Sequence, residues 1–95
     1  MKKLTIVRFK PKPEHFGVFV QELKQASTAP DRTAILNSFV MTKNDEVFSI
    51  VIRHADELEE DAKRGVQTLD GMRHMLQEYN EVDRHTIPLT GDLIE

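Results

Sequence analysis

Apolar and polar positions along this chain recur first with a period of two, then of about 3.6, then of two again. Between Leu4 and Lys10 they alternate: Leu4, Ile6 and Arg8 point one way, Thr5, Val7 and Phe9 the other, as in a strand. Pro11 and Pro13 end that run, and Pro13 suits the first turn of a helix, where its missing N–H costs nothing. From Pro13 to about Ser27 the residues Phe16, Phe19, Val20, Leu23 and Ala26 fall at steps of three and four, which makes one helix face. Thr28 to Asp31 reads as a loop. Ala34 to Lys43 and Glu46 to His54 are the clearest strands, joined by Asn44-Asp45, two residues that tolerate positive φ. A two-residue turn there sets the register. Met41 then opposes Phe48, Phe39 opposes Ile50, Asn37 opposes Ile52 and Ile35 opposes His54, while Val40 with Ser49 and Ser38 with Val51 lie on the other face with Leu36, Val47 and Arg53. Next, Asp56 and Glu59 have the spacing of a capping box. A stripe of Leu58, Ala62, Val66, Leu69, Met72, Leu76 and Tyr79 predicts a helix over 56–80. Gly65 and Gly71 lie within it, each costing about 1 kcal/mol against alanine, so a kink or break is expected near Gly65. Val82 to Ile87 is the last predicted strand, stopped by Pro88 and followed by a tail from Leu89 to Glu95.

The predicted order is β-α-β-β-α-β, the split βαβ pattern of an α+β, ferredoxin-like domain occupying residues 1–95. Four antiparallel strands should carry both helices on one face. The hairpin face with Phe39, Met41, Phe48, Ile50 and Ile52 is the more apolar and is expected to meet the helices. The opposite face, with Leu36, Val40, Val47 and Val51 and with Leu4 and Ile6, would otherwise form a larger apolar patch than monomers usually expose. The second strand would also be an edge with no charge before Lys43. A second copy packed sheet on sheet answers both needs, so the expected partner is the chain itself, as a homodimer. The tail with Leu93 and Ile94 is expected to reach across to that partner.

A length of 95 residues corresponds to one domain, and a domain this small buries a modest fraction of its surface. The chain has no cysteine, which excludes disulfides, thiolate metal sites and cysteine nucleophiles. A formal charge of −3 with no basic block argues against nucleic acid. Arg8 and Lys10 interrupt the first apolar run too early for a signal peptide, and no stretch approaches the roughly 20 apolar residues of a membrane span. The expected setting is the cytoplasm, with no membrane partner.

Candidate chemistry is sparse. His15, His54, His74 and His85 show neither the His-x-His nor the His-x-x-x-His spacing of a local metal site, so no metal and no cofactor is expected. His15 and His74 read as surface residues and His54 as a capping or packing residue. His85, in the last strand, is the candidate for proton transfer, since imidazole titrates near neutrality. Arg8 and Arg53 are placed on the sheet face away from the helices, with Ser38 and Ser49 beside them. A mostly apolar cavity with such convergent polar groups is what a small-molecule site needs, and a guanidinium can hold a carboxylate or phenolate through paired hydrogen bonds. The bland alternative is that both arginines pair with acids at the rim. The run from Asp56 to Asp61 reads as a solvated first helical turn. No glycine-rich phosphate loop is present.

The segment Ile6-Val7-Arg8-Phe9-Lys10-Pro11-Lys12-Pro13-Glu14, the helix containing Phe16 to Leu23, and the strand Glu46 to Ile52 leading directly into the helix from Asp56 together resemble the dimeric α/β-barrel superfamily, in particular its antibiotic biosynthesis monooxygenase-like group. The resemblance covers nearly the whole chain and is one of pattern. It implies a homodimer whose two sheets form a barrel, and either of two activities known among its members, or none. Some oxidise phenolic or quinol-type compounds without metal or cofactor, others bind and degrade heme, and many have no known activity. The tryptophan that often ends the family's third strand is matched here by Arg53, and this chain has no tryptophan. The first-strand asparagine of the heme degraders is matched by Val7, and His74 falls about two residues from the place of their heme ligand. The readings that follow are a cofactor-independent monooxygenase or isomerase acting on a small aromatic or polyketide-like compound, a non-catalytic dimeric binding module, or a heme-handling protein.

Overall fold

In the computed structural model, which describes all 95 residues, the alternating segments pair into one antiparallel sheet. The strands are β1 (Lys2–Phe9), β2 (Ile35–Lys43), β3 (Glu46–His54) and β4 (Thr86–Asp92), in the order β2-β3-β1-β4. Helices α1 (Phe16–Ser27) and α2 (Leu58–Asp70) each follow a short 3-10 turn, Pro13–His15 and Ala55–Glu57. The order and pairing are those of the ferredoxin-like fold expected from the sequence.

The hairpin forms as its turn residues dictate. Lys43 faces Glu46 across Asn44-Asp45, and Asn44 sits in the left-handed region with φ 56, which asparagine tolerates. Phe39 opposes Ile50, Met41 opposes Phe48 and Asn37 opposes Ile52 as expected. Leu36 is an extra residue in a bulge, so Ile35 opposes Arg53 rather than His54.

The face assignment is the reverse of the expectation. Phe9 and Val47 are buried with Phe19 and Leu23 of α1 in one core, where the Phe9 and Phe19 rings lie 5.1 Å apart. Thr5, Val7, Ser49, Val51 and Arg53 therefore face the helices. The more apolar side, with Phe39, Met41, Phe48, Ile50 and Ile52, stays open, together with Leu4, Ile6, Ile87 and Leu89. The physical reason lies in connectivity. β1 and β2 are both antiparallel to β3 and so parallel to each other, and the β1–α1–β2 crossover is governed by handedness rather than by which side is greasier.

Several local expectations are also corrected. The second helix ends at Asp70 with Gly71 at its C-cap, not near residue 80, and it runs unbroken through Gly65. Beyond a 3-10 turn at Arg73–Met75 the chain extends beside β1's exit: Lys12 N–H donates to the Met75 carbonyl and Gln77 N–H to that of Lys10. These bonds place Met72, Met75 and Leu76 in the core. The Asp56–Glu59 capping box does not form, since neither helical segment there has a side-chain cap. The last strand lies further along than Val82–Ile87 and includes Pro88, which an edge strand accommodates because its missing N–H is not needed by a neighbour. The tail therefore forms the edge of its own sheet rather than reaching away. Leu93 N–H donates to the Lys2 carbonyl, and Lys2 pairs with Glu95 and Lys3 with Asp92.

Candidate functional site

Helix α2 carries a clear apolar stripe, yet its only buried residue is Asp61. Leu58, Ala62 and Val66 face a cavity of about 570 Å³, and Leu69 lines it while also packing against the core. The sheet supplies the opposite wall through Val7, Phe9, Ser49, Val51 and Arg53, and β4 closes the side with Thr86, Pro88 and Thr90. The volume is in the range of small-molecule sites, and the lining has their character: mostly apolar, with a few convergent polar groups.

One end of the cavity is cationic. The Asp61 carboxylate is fully buried and is gripped by two arginines. Arg32, from the loop after α1, donates through Nε to Oδ1 at 2.8 Å and through Nη2 to Oδ2 at 2.8 Å. Arg53, from β3, donates through Nη1 to Oδ2 at 2.8 Å and through Nη2 to the Thr5 hydroxyl at 2.8 Å. Thr5 and Thr90 hydroxyls lie 2.9 Å apart across β1 and β4. Burial by itself would raise the Asp61 carboxyl's pKa, but the hydrogen bonds from Arg32 and Arg53 outweigh it and hold the group below the ordinary aspartate range. Arg53 Nε is buried and has no hydrogen-bond partner. Ser49 is buried in the lining, and its hydroxyl bonds to no other protein group.

Of the residues singled out from sequence, the structure places Arg53 and Ser49 in the lining of this cavity, with Val51 between them on β3, on the helix side of the sheet and not on the open side where they were expected. Ser38 is half-buried on β2 on that same helix side and does not line the cavity. Arg8 lies on the open face, as expected. It donates to both Glu46 oxygens, at 2.9 and 3.0 Å, and its guanidinium carbon stands 5.6 Å from the centre of the Tyr79 ring and 5.9 Å from that of Phe48. Tyr79 donates to Glu46 Oε1 at 2.6 Å. Hydrogen bonds from Arg8 and then Tyr79 lower the Glu46 pKa, whereas burial and the bond to Glu46 push the Tyr79 phenol well above its ordinary range. Arg8 is thus committed to an ion pair, and Arg53 to another.

His85 precedes β4 and is buried away from the cavity, with Nδ1 3.2 Å from Arg73 Nη1 and Nε2 3.7 Å from Glu78 Oε1. An arginine only donates, so Nδ1 accepts and the proton of the neutral ring sits on Nε2. His74 is exposed, with its ring 6.1 Å from that of His15. No three acidic or histidine side chains converge in a way that could hold a metal ion.

Sequence reasoning missed Asp61, taken there for part of a solvated acidic run, and with it Arg32. A signal was present: Leu58, Asp61, Gly65 and Leu69 are spaced by three and four, which puts Asp61 on the helix's inner face.

No protein-family model matches the sequence, and no curated protein does. Solved structures do match. Rv0793 from Mycobacterium tuberculosis superposes with a TM-score of 0.76 at 14% identity, over 100% of this chain and 97% of that one. A putative antibiotic biosynthesis monooxygenase from Chloroflexus aurantiacus gives 0.70 at 8% identity, over 100% and 97%. A variant of SnoaB, a cofactor-independent oxygenase from Streptomyces nogalater, gives 0.64 at 10% identity, over 99% and 94%. At such identities the likeness is one of fold, and the fold is that of the antibiotic biosynthesis monooxygenase-like proteins.

Proposed function

We propose that this chain binds a small aromatic or polyketide-like compound in the cavity between α2 and the sheet, and acts on it as a cofactor-independent monooxygenase. The observation that carries this reading is the unfilled apolar stripe of α2 standing over a wall that holds Ser49 and Arg53. Apolar walls left unfilled by the protein's own side chains favour a flat apolar ligand, and polar groups at one end orient it. Oxygenation without a cofactor needs an electron-rich ring that passes electrons to dioxygen directly. The protein's part is to hold that ring in one orientation and keep water from it. The fold shared with a cofactor-independent oxygenase supports the reaction class by analogy. His74 is not among the residues that line the cavity, which weighs against heme handling through that residue.

The test uses 1,8-dihydroxyanthrone as probe. Saturable oxygen uptake above the spontaneous rate is expected, together with ligand-induced thermal stabilisation, and both should be lost in Ala62→Trp, which fills the cavity. Stabilisation without uptake would leave a non-catalytic binding module. The absence of both would sink the reading.

The assembly proposed is a homodimer through the open sheet face. Phe39, Met41 and Leu89 there are 54%, 45% and 68% exposed, in one apolar surface with Leu4, Ile6, Ile50 and Ile52. Fully burying such a side chain is worth about 1.5–3 kcal/mol. No helix is long and apolar enough to cross a membrane, and the cytoplasm is the proposed compartment.

A further inference from the structure

The cavity's cationic end has a charge imbalance. Arg32 and Arg53 contribute two positive charges and Asp61 one negative, so the cluster is left with one positive charge. The three side chains are 11%, 7% and 0% exposed, so water screens that charge poorly. Glu59 lines the cavity too, but it is exposed and pairs with neither arginine. Buried charge without a counter-ion is costly and is normally paired. Arg53 Nε is unpartnered but out of reach of the cavity, so the outer edge of the guanidinium is what a ligand meets, and Ser49 offers a hydroxyl that the protein leaves unused.

We infer that the cavity takes its ligand as an aromatic monocarboxylate, with the carboxylate between Ser49 and the Arg53 guanidinium and the ring against the apolar faces of α2 and β1. A carboxylate is ionised at neutral pH and neutralises the residual charge on arrival, whereas a phenol would first have to lose a proton. One oxygen accepts from Ser49 and the other faces the Arg53 guanidinium. The ring then lies beside Val7, Phe9 and Leu69. The guanidinium itself is held by Asp61 and Thr5, so Asp61 acts as a positioning residue. This inference rests on the cavity being the ligand site, and it names the chemical class of that ligand.

The test is calorimetric titration of the full chain with 2-naphthoate and with 2-naphthamide, which is nearly the same shape but neutral. The naphthoate is expected to bind at least roughly tenfold more tightly, a difference of about 1.4 kcal/mol. The preference should shrink in Ser49→Ala and vanish in Arg53→Gln, with circular dichroism reporting whether that variant folds. Equal binding of the two ligands to the unaltered protein would overturn the anionic class and leave the cavity reading standing. Binding of neither would overturn both. Should Arg53→Gln not fold, the comparison of the two ligands on the unaltered protein decides alone. A naphthoate preference that survives Ala62→Trp would place the anion elsewhere and refute the assignment.

Discussion

Replacing Asp61 by alanine removes the acceptor of three charge-assisted hydrogen bonds, each 2.8 Å long, from two guanidinium groups. Because the carboxylate is fully buried and the arginines are 11% and 7% exposed, neither cation can turn to bulk water without moving its strand or loop. Breaking a buried pair by deleting one partner costs about 3–5 kcal/mol. Here two cations are orphaned together and also repel each other, so the upper part of that range is expected. Set against a typical domain stability of about 5–15 kcal/mol, the change should leave the protein marginal at room temperature. Urea denaturation followed by circular dichroism measures it: the midpoint should fall with little change in slope. Asp61→Asn, which keeps shape and one acceptor oxygen, should lose less. The same group makes a pH prediction. The folded-state pKa of Asp61 lies below the ordinary aspartate value, so its contribution is fully present above about pH 4 and is lost as pH falls through the folded value. Asp61→Asn lacks this titration, so its stability should fall less steeply below about pH 4 and converge there with that of the unaltered protein. A loss under about 1 kcal/mol for Asp61→Ala would refute the account, because that is what a surface ion pair is worth.

Three further outcomes are expected. Tyr79 is the only tyrosine, and its raised pKa means that ultraviolet titration should show no phenolate near the ordinary value of about 10 while the protein is folded; Glu46→Gln should bring ionisation to lower pH, and an ordinary titration curve in the unaltered protein would contradict the Tyr79–Glu46 bond. Burial, then the charge of Arg84, lowers the His85 pKa, with Glu78 opposing and Arg73 and Lys12 adding to the shift. Its contribution to stability is thus present above about pH 6.5 and declines as pH falls through the folded value; the melting temperature should drop across that window, and His85→Gln, which keeps an acceptor for Arg73, should flatten the dependence. Sedimentation at micromolar concentration should give about twice the 11.0 kDa chain mass, and Phe39→Glu on the open face should yield a folded monomer; a folded monomer of the unaltered chain would defeat the homodimer.

Several features of this protein were determined locally and were legible in the linear chain. The alternation from Leu4 to Lys10, the Asn44-Asp45 turn and the two helical stripes specify three strands, two helices and the pairing of Phe39 with Ile50, because each depends on neighbours within a few residues, whereas the last strand lies further along than its local pattern placed it. The extent of α2 was less legible. Met72 and Leu76 continue the stripe in sequence, but Gly71 caps the helix and backbone bonds to Lys10 and Lys12 draw the following residues into an extended path. Only the tertiary structure decided which side of the sheet the helices cover. A period of two sorts residues onto two faces without labelling either, and the β1–α1–β2 crossover makes the choice. That choice placed Arg53 and Ser49 under α2, left Arg8 outside with Glu46 and Tyr79, and brought Asp61 from an acidic run of ordinary appearance to the buried centre of the site. Arg32, Arg53 and Asp61 stand 21 and 8 residues apart along the chain. No local pattern links them, because what joins them is charge meeting charge across the fold.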